Sequence, residues 1–219
     1  METHGGANTL VGRYALPPDT IEARSFGIIE GLLGPRAWSP EERQIAVRLV
    51  HATGDVAVAD ELRVHPQAVE AGRRALTAGR EVFTDVNMVA VGINKALLAG
   101  LGCRTVCAID DPEVAAQARA QGTTRAIAAM RVLGPRMDGA IVAIGNAPTA
   151  LLALLDAVDE GSVRPGVIVG TPVGFVAAIE SKAELMRRQV PYVTVEGTRG
   201  GSAVAAAIVN ALMRLAQGS

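Results

Sequence analysis

The chain has 219 residues, a formal net charge of -1, 49% hydrophobic residues and 20% charged residues. This length fits one domain, which we expect over residues 14–219 after a mobile lead-in over residues 1–13. The near-neutral charge argues against a nucleic-acid partner, and Gly and Pro interrupt the longest uncharged runs, so no membrane association is expected. No charged-then-apolar amino-terminal signal is visible, which favours a cytoplasmic location.

The first predicted helix follows Pro17 and Pro18 and ends at Gly31 or Gly34. Ser25 lies within it. A serine inside a helix is ordinarily a tolerated polar residue, because its hydroxyl can bond back to the backbone of its own helix. The pattern alone therefore gives Ser25 no function.

The second predicted helix carries a histidine in its last turn. Ser39 can cap its start, Pro40 fits the first helical position, and Glu42 completes a capping box. Gly54 can adopt the left-handed conformation that ends a helix, which places His51 at the carboxyl end. The helix dipole favours an imidazolium there, so His51 can hold or release a proton near neutral pH. A histidine that only satisfies the last helix carbonyls is the alternative.

The rest of the chain alternates between predicted strands and helices. A short edge strand is predicted at residues 62–64, and further strands at residues 82–84, 105–109, 140–144, 167–169 and 192–195. Helices are predicted from Pro66 to Gly79 and from Asp111, Ala147, Phe175 and Ser202 onward. Strands that are apolar throughout are typical of a parallel sheet covered on both faces. We therefore predict a three-layer α/β/α fold with a doubly wound, mainly parallel sheet of about five strands.

Glycine-rich loops follow the predicted strands. They lie at Gly92 and at residues 145–148, 170–174 and 197–202. Glycine allows a ligand to approach the backbone, and a helix amino terminus offers N–H groups to anions. The fingerprints of dinucleotide-binding and phosphate-binding loops are absent, and so is the nucleophile elbow of α/β hydrolases. The loops therefore predict a broad binding surface, although each one alone is also ordinary turn chemistry.

Several charged residues near these loops have two interpretations. Arg125 and Arg199 are placed to meet ligand carboxylates, and Arg125 can equally be an exposed helix residue. Asp85 ends a core strand, where it can contact a ligand or cap the next turn. Glu180 and Lys182 can orient the loop at Gly174 or simply form a solvated helix face.

Six short blocks of this sequence resemble the precorrin-8X methylmutases, the corrin-ring isomerases of cobalamin biosynthesis. The first is VRLVHATGD at residues 47–55, which contains His51. The others are DVNMVAVGI at 85–93, IGNAPTAL at 144–151, PVGFV at 172–176, ESK at 180–182 and GGS at 200–202. Six blocks in this order across most of the chain indicate the family more specifically than any single block does.

The resemblance implies an isomerase that moves a methyl group from C-11 to C-12 of precorrin-8X or cobalt-precorrin-8, giving hydrogenobyrinate or cobyrinate. It implies that His51 protonates a ring nitrogen, that Ser25 faces the substrate, and that no metal or other cofactor is needed. It also implies substrate-binding roles for Arg125, Asn94 and Gly92. Where the family often has threonine and arginine, this chain has Asn94 and Lys95.

The resemblance further implies a homodimer with its active site at the subunit interface. A non-catalytic corrinoid-binding or carrier protein is the alternative function, because an inactive relative could keep the same pocket. The sequence leaves open whether the corrinoid is metal-free or contains cobalt.

Overall fold

The computed structural model describes residues 9–218, which form helices around one sheet. The helices are α1 (Leu10–Tyr14), α2 (Pro18–Leu33), α3 (Pro40–Thr53), α4 (Ala68–Thr77), α5 (Asn87–Gly92), α6 (Lys95–Gly100), α7 (Pro112–Ala120), α8 (Arg125–Leu133), α9 (Pro148–Asp159), α10 (Ala178–Met186) and α11 (Ser202–Ala216). The strands are β1 (Leu62–Val64), β2 (Val82–Thr84), β3 (Thr105–Val106), β4 (Ile141–Ile144), β5 (Val167–Gly170) and β6 (Tyr192–Val195). Of the predicted lead-in, residues 1–8 lie outside the described range, and α1 has no buried residue.

The sheet has six strands in the order β1-β6-β5-β4-β2-β3. All neighbouring strands pair in parallel except β1, which pairs antiparallel with β6 at the edge. The predicted fold class is confirmed, and the edge strand raises the strand number to six. The strand order reverses between β2 and β4, which is the place where doubly wound sheets bind ligands.

Successive strand residues point to opposite faces of the sheet and divide the core into two layers. In β4, Ile141 and Ala143 pack into a first layer, whereas Val142 and Ile144 pack into a second layer. Helices α2 to α6 and α11 contribute to the first layer, and α7 to α10 contribute to the second. Both faces of the sheet are covered, which explains why its central strands are apolar throughout.

Two predicted elements have an end that lies three residues from its predicted position. The strand predicted at residues 105–109 ends at Val106, because the chain turns where the Asp111 N–H donates to the Ala108 carbonyl. The helix predicted from Phe175 begins at Ala178, because Ala177 has a left-handed backbone with φ 59°. The loop before it leaves the Phe175 side chain 89% exposed. In the described part of the chain, every helix is too short or too polar to span a bilayer.

Candidate functional site

Helix α3 delivers His51 to the surface as its sequence predicts. Ser39 Oγ accepts from the Glu42 N–H at 3.1 Å, and Glu42 Oε2 accepts from the Ser39 N–H at 2.7 Å, so the capping box is complete. Gly54 ends the helix with φ 68°. These two ends fix the register of α3, which buries Ile45 and Leu49 and leaves His51 exposed in the last turn.

Ser25 and His51 form a hydrogen-bonded pair. Helix α2 packs on α3, and Ser25 Oγ lies 2.9 Å from His51 Nδ1. The ring of Phe26 meets the imidazole edge-on with centroids 5.3 Å apart, which restricts its rotation. The hydrogen bond occupies Nδ1 and leaves Nε2 as the ring nitrogen available to a ligand. The structure thus brings together two residues that were predicted separately.

A pocket of about 240 Å³ opens beside His51. It is lined by Arg48, His51, Ala52, Gly92, Ala203, Ala206, Ala207 and Asn210. The alanines of α11 have small side chains and so leave space in the pocket. Gly92 ends α5 where that helix packs against α11. A Cβ atom on Gly92 would lie 2.8 Å from the Ala206 Cβ atom, so only glycine permits this close approach. Gly92 therefore lines the pocket beside His51, and its contact with a substrate stays a prediction.

Asn210 is a pocket residue that the sequence reasoning missed. Its side-chain Nδ2 donates to the Gly92 carbonyl at 3.0 Å, and its Oδ1 accepts from the Asn94 N–H at 2.8 Å. The amide therefore fixes the α5–α6 junction against α11. The available signal was the asparagine itself, in a stretch of α11 over residues 203–213 that is otherwise apolar. Asn94 itself caps α6 by accepting from the Leu97 N–H at 3.0 Å, so its amide oxygen already has a partner.

Asp85 is fully buried at the end of β2 and bonded to the loop after β4. Its carboxylate accepts from the N–H groups of Gly145, Asn146 and Ala147 at 3.0, 2.8 and 2.8 Å. Burial raises the pKa of Asp85, and these three hydrogen bonds oppose the rise. All of these donors belong to the loop after β4, so the carboxylate caps that loop rather than the turn that follows Asp85, and its contact with a ligand stays a prediction. Asp85 therefore positions the loop at the switch point of the sheet.

Arg199 connects the loop after β6 to the end of the His51 helix. Its Nη1 lies 2.8 Å from Glu61 Oε1, and its Nη2 lies 3.3 Å from Asp55 Oδ2. Asp55 directly follows the glycine that ends α3. The Arg199 guanidinium thus has two carboxylate partners within the chain, and its contact with a substrate stays a prediction.

Lys182 is buried, so the prediction that it lies on a solvated helix face is wrong. Only 1% of the residue is exposed, and its Nζ donates to the Arg199 carbonyl at 2.7 Å. Burial lowers the pKa of Lys182 to about 8, and the nearby Glu61 charge partly opposes that shift. Lys182 therefore supports the loop at Arg199 from beneath, a role that requires a long side chain with a donor at its end.

Replacing Lys182 with Met is expected to change how stability depends on pH. Between about 8 and the ordinary pKa of 10.5, the unfolded chain binds more protons at Lys182 than the folded chain does. The free energy of unfolding of the wild type should therefore rise with pH relative to that of K182M across this window. Urea unfolding at several pH values measures the difference, with K95M, at an exposed position, as the control. If the difference in free energy of unfolding between wild type and K182M did not change with pH, the lowered pKa of Lys182 would be contradicted.

Arg125 does not lie with His51 in the described chain. It is exposed at the first position of α8 in the second layer, where the cap residue Thr124 approaches Thr149 with their hydroxyls 3.4 Å apart. His51 belongs to the first layer, on the other face of the sheet. One chain thus presents these two predicted site residues on opposite sides of the sheet.

Comparisons with known proteins cover nearly the whole chain. A family model described as "CbiC: Precorrin-8X methylmutase" matches residues 20–215. A cobalt-precorrin-8 methylmutase of Priestia megaterium is 43% identical over 199 residues, which are 91% of this chain and 88% of that protein. A precorrin-8X methylmutase of Pseudomonas aeruginosa is 43% identical over 201 residues, which are 91% of this chain and 96% of that protein. The crystal structure of a precorrin-8X methylmutase from Thermus thermophilus matches with a TM-score of 0.86 and 42% identity, covering 91% of this chain and 97% of that one.

Proposed function

Because the chain belongs to the precorrin-8X methylmutase family of cobalamin-biosynthesis isomerases, we propose that it moves a methyl group between adjacent carbons of a corrin ring, with His51 as the proton donor. The observation that carries the role of His51 is its hydrogen bond to Ser25 at the edge of the pocket. Family membership supports the isomerase over a non-catalytic corrinoid-binding protein.

The Ser25 contact determines which proton His51 can give away. In the imidazolium form, the Nδ1–H donates to Ser25 Oγ, and the Nε2–H remains as the transferable proton. Protonation of a ring nitrogen by Nε2 changes the conjugation of the macrocycle and eases the methyl shift. After the transfer, the neutral imidazole keeps its Nδ1–H on Ser25, and Nε2 can take a proton back from the rearranged ring, as an isomerisation with no net gain of protons requires.

The remaining site residues provide the shape in which the substrate is held. Gly92 and the alanines of α11 leave room beside His51, and Asn210 fixes the edge of that space. Asp85 holds the loop at residues 145–147 in place before a ligand arrives. A site that is already ordered loses less entropy when it binds, so more of the binding energy is available for the reaction.

Parallel incubation with two substrate forms tests the proposed function. The relatives include both precorrin-8X and cobalt-precorrin-8 methylmutases, so the purified protein should be given each form separately. We expect the ultraviolet-visible spectrum to change to that of the isomerised corrinoid for at least one form. An unchanged spectrum with both forms, from a protein with a cooperative unfolding transition, would contradict the proposal.

We further propose that the protein is a cytoplasmic homodimer in which each pocket uses residues from two chains. The cytoplasmic location remains a prediction from composition. For the dimer, support comes from large apolar side chains exposed on the surface. They are Leu10, Val11, Tyr14, Ile21, Ile28 and Leu32 on α1 and α2, and Met88, Val91, Phe175 and Val176 near the carboxyl ends of the strands. Ile21, Ile28 and Leu32 share one face of α2, and an exposed apolar stripe of this kind is typical of a protein interface.

Mixing two inactive variants tests the shared pocket. His51 and Arg125 lie in different layers, so a pocket that contains both is most simply built from two chains. H51A chains mixed with R125A chains should regain part of the wild-type activity, because some mixed dimers have one complete pocket. Each variant mixed only with itself is the control. A fully active monomer in sedimentation would contradict the dimer, and mixed dimers without activity would contradict the sharing of residues.

A further inference from the structure

Helix α3 ends in an exposed turn, and that turn carries His51. Residues 45–47, 49 and 50 are buried, whereas residues 51–54 are all exposed. Helix ends fray when few side chains pack on them, so the position of the imidazole depends on what restrains this turn. The Ser25 hydroxyl restrains it from α2. A second restraint acts on the segment that directly follows the helix.

Arg199 spans the two ends of a short 3₁₀-helix at Val56–Glu61, which connects α3 to β1. Asp55 caps the start of this 3₁₀-helix, because its Oδ1 accepts from the Ala57 N–H at 2.9 Å. The other carboxylate oxygen of Asp55 lies 3.3 Å from Arg199 Nη2. At the opposite end, Glu61 Oε1 lies 2.8 Å from Arg199 Nη1. One guanidinium thus bridges both ends of the segment that begins directly after the glycine stop of α3.

The main chain around Arg199 is held at three points. The Arg199 carbonyl accepts from Lys182 Nζ at 2.7 Å. The carbonyl one residue earlier accepts from the Gly174 N–H at 3.1 Å, and the N–H two residues later donates to the Thr171 carbonyl at 2.8 Å. The guanidinium therefore reaches the end of α3 from a fixed anchor rather than from a free loop.

The charges of this network alternate in sign and are satisfied within the chain. Buried Lys182 lies near Glu61, and Arg199 lies between Glu61 and Asp55. A substrate carboxylate that met Arg199 would have to displace one of these two partners. The side chains of Arg199 and Asp55 are 44% and 42% exposed, so their ion pair contributes little to global stability. Its effect should therefore appear in local geometry.

We propose that Arg199 is a positioning residue for the proton donor: by bridging Asp55 and Glu61 from an anchored loop, it holds the last turn of α3 and keeps His51 aimed at the substrate. The inference rests on the proposed function, in which His51 is the acid. It assigns Arg199 an effect that is transmitted through Asp55, in place of direct contact with a carboxylate of the corrinoid. A displacement of about 1 Å can lower a rate about 100-fold, so such a residue need not touch the substrate.

The variant R199M keeps most of the side-chain length and removes the guanidinium. We expect kcat to fall about 10- to 100-fold, whereas the Kd of hydrogenobyrinate, the metal-free product, should stay near the wild-type value in an absorbance titration. The backbone amides of residues 51–57 should exchange with deuterium faster, and the urea midpoint should change little. R63M is the matched control, because Arg63 is also 44% exposed and pairs with Glu196 at the same sheet edge. It should leave kcat and this exchange unchanged.

Combining R199M with D55N tests whether Arg199 acts through Asp55. Asparagine keeps the oxygen that caps the 3₁₀-helix and puts an amide nitrogen where a carboxylate oxygen faces Arg199. D55N alone should lower kcat, and the double variant should be no slower than R199M, because both changes remove the same contact. R199K, which keeps the charge but can meet only one carboxylate at a time, should recover part of the rate.

A raised Kd with an unchanged kcat in R199M would show that Arg199 binds the corrinoid and would overturn the positioning role. Rate losses of R199M and D55N that multiply, or an equal loss in R63M, would overturn it too. If R199M does not fold, R199K and D55N provide the same comparison. Amide exchange needs no substrate, so unchanged exchange at residues 51–57 would refute the positioning role by itself. A wild type that converts neither corrinoid would instead overturn the proposed function, and the exchange result would still stand.

Discussion

Replacing His51 with Ala is expected to lower kcat by about 100- to 10,000-fold, which is the contribution of a positioned acid. The imidazole is exposed and fills no core volume, so H51A should unfold at nearly the wild-type urea midpoint and still bind the product. Single-turnover absorbance measurements give the rate of the chemical step separately from binding. Loss of rate with retained affinity is the signature of a group that acts on the transition state rather than on the ground state.

His65 provides the matched control for His51. Its Nδ1 accepts from the Gln67 N–H at 3.2 Å, and its ring contacts Tyr192, so it has a structural role in the turn before α4. H65A should lose some stability and keep its kcat. A near-normal rate in H51A would eliminate His51 as the acid, and an equal loss of rate in H65A would show that the effect is not specific to the pocket.

Replacing Asp85 with Ala is expected to cause the largest loss of stability of any substitution at the site. Three backbone N–H groups would lose the carboxylate that accepts from them; the Gly145 N–H is buried, those of Asn146 and Ala147 are partly buried, and a buried donor left unpaired costs about 1–3 kcal/mol. We expect D85A to lower the free energy of unfolding by roughly 3 kcal/mol or more. Product affinity should also fall, because the loop at residues 145–147 would no longer be fixed before binding.

Asp138 is the control for Asp85. It also accepts a hydrogen bond from a backbone N–H, that of Arg164 at 2.7 Å, but it is exposed and water can replace it. D138A should therefore cost no more than about 1 kcal/mol in urea unfolding. If D85A and D138A proved equally stable, the carboxylate of Asp85 would not be what orders the loop.

The features that the sequence predicts best are local ones. The capping box at Ser39 and Glu42 and the glycine stop at Gly54 depend on residues within a few positions of each other, and the structure confirms all of them. The three-layer fold follows from strands such as β4, which are apolar on both faces. The start of α10 was missed because the left-handed backbone at Ala177 has no sequence signal in an alanine.

Contacts between distant residues could not be predicted in this way. Ser25 and His51 were each suggested by the family resemblance, but their hydrogen bond depends on how α2 packs on α3. The sequence around Lys182 predicts a surface residue, because the Arg199 carbonyl that its amine binds is brought close only by the fold. Asn210 carries no motif of its own, and its role emerges only from the pocket that it lines.

Counting product molecules per chain under excess substrate separates an isomerase from a corrinoid-binding protein most directly. Purified protein is mixed with a large molar excess of precorrin-8X, or of its cobalt form if that is the one converted, and the isomerised product is quantified by absorbance over time. An isomerase produces many product molecules per chain, and the rate falls to near background in H51A. At most one product molecule per chain, or bound substrate that never changes, would show that the protein holds the corrinoid without acting on it.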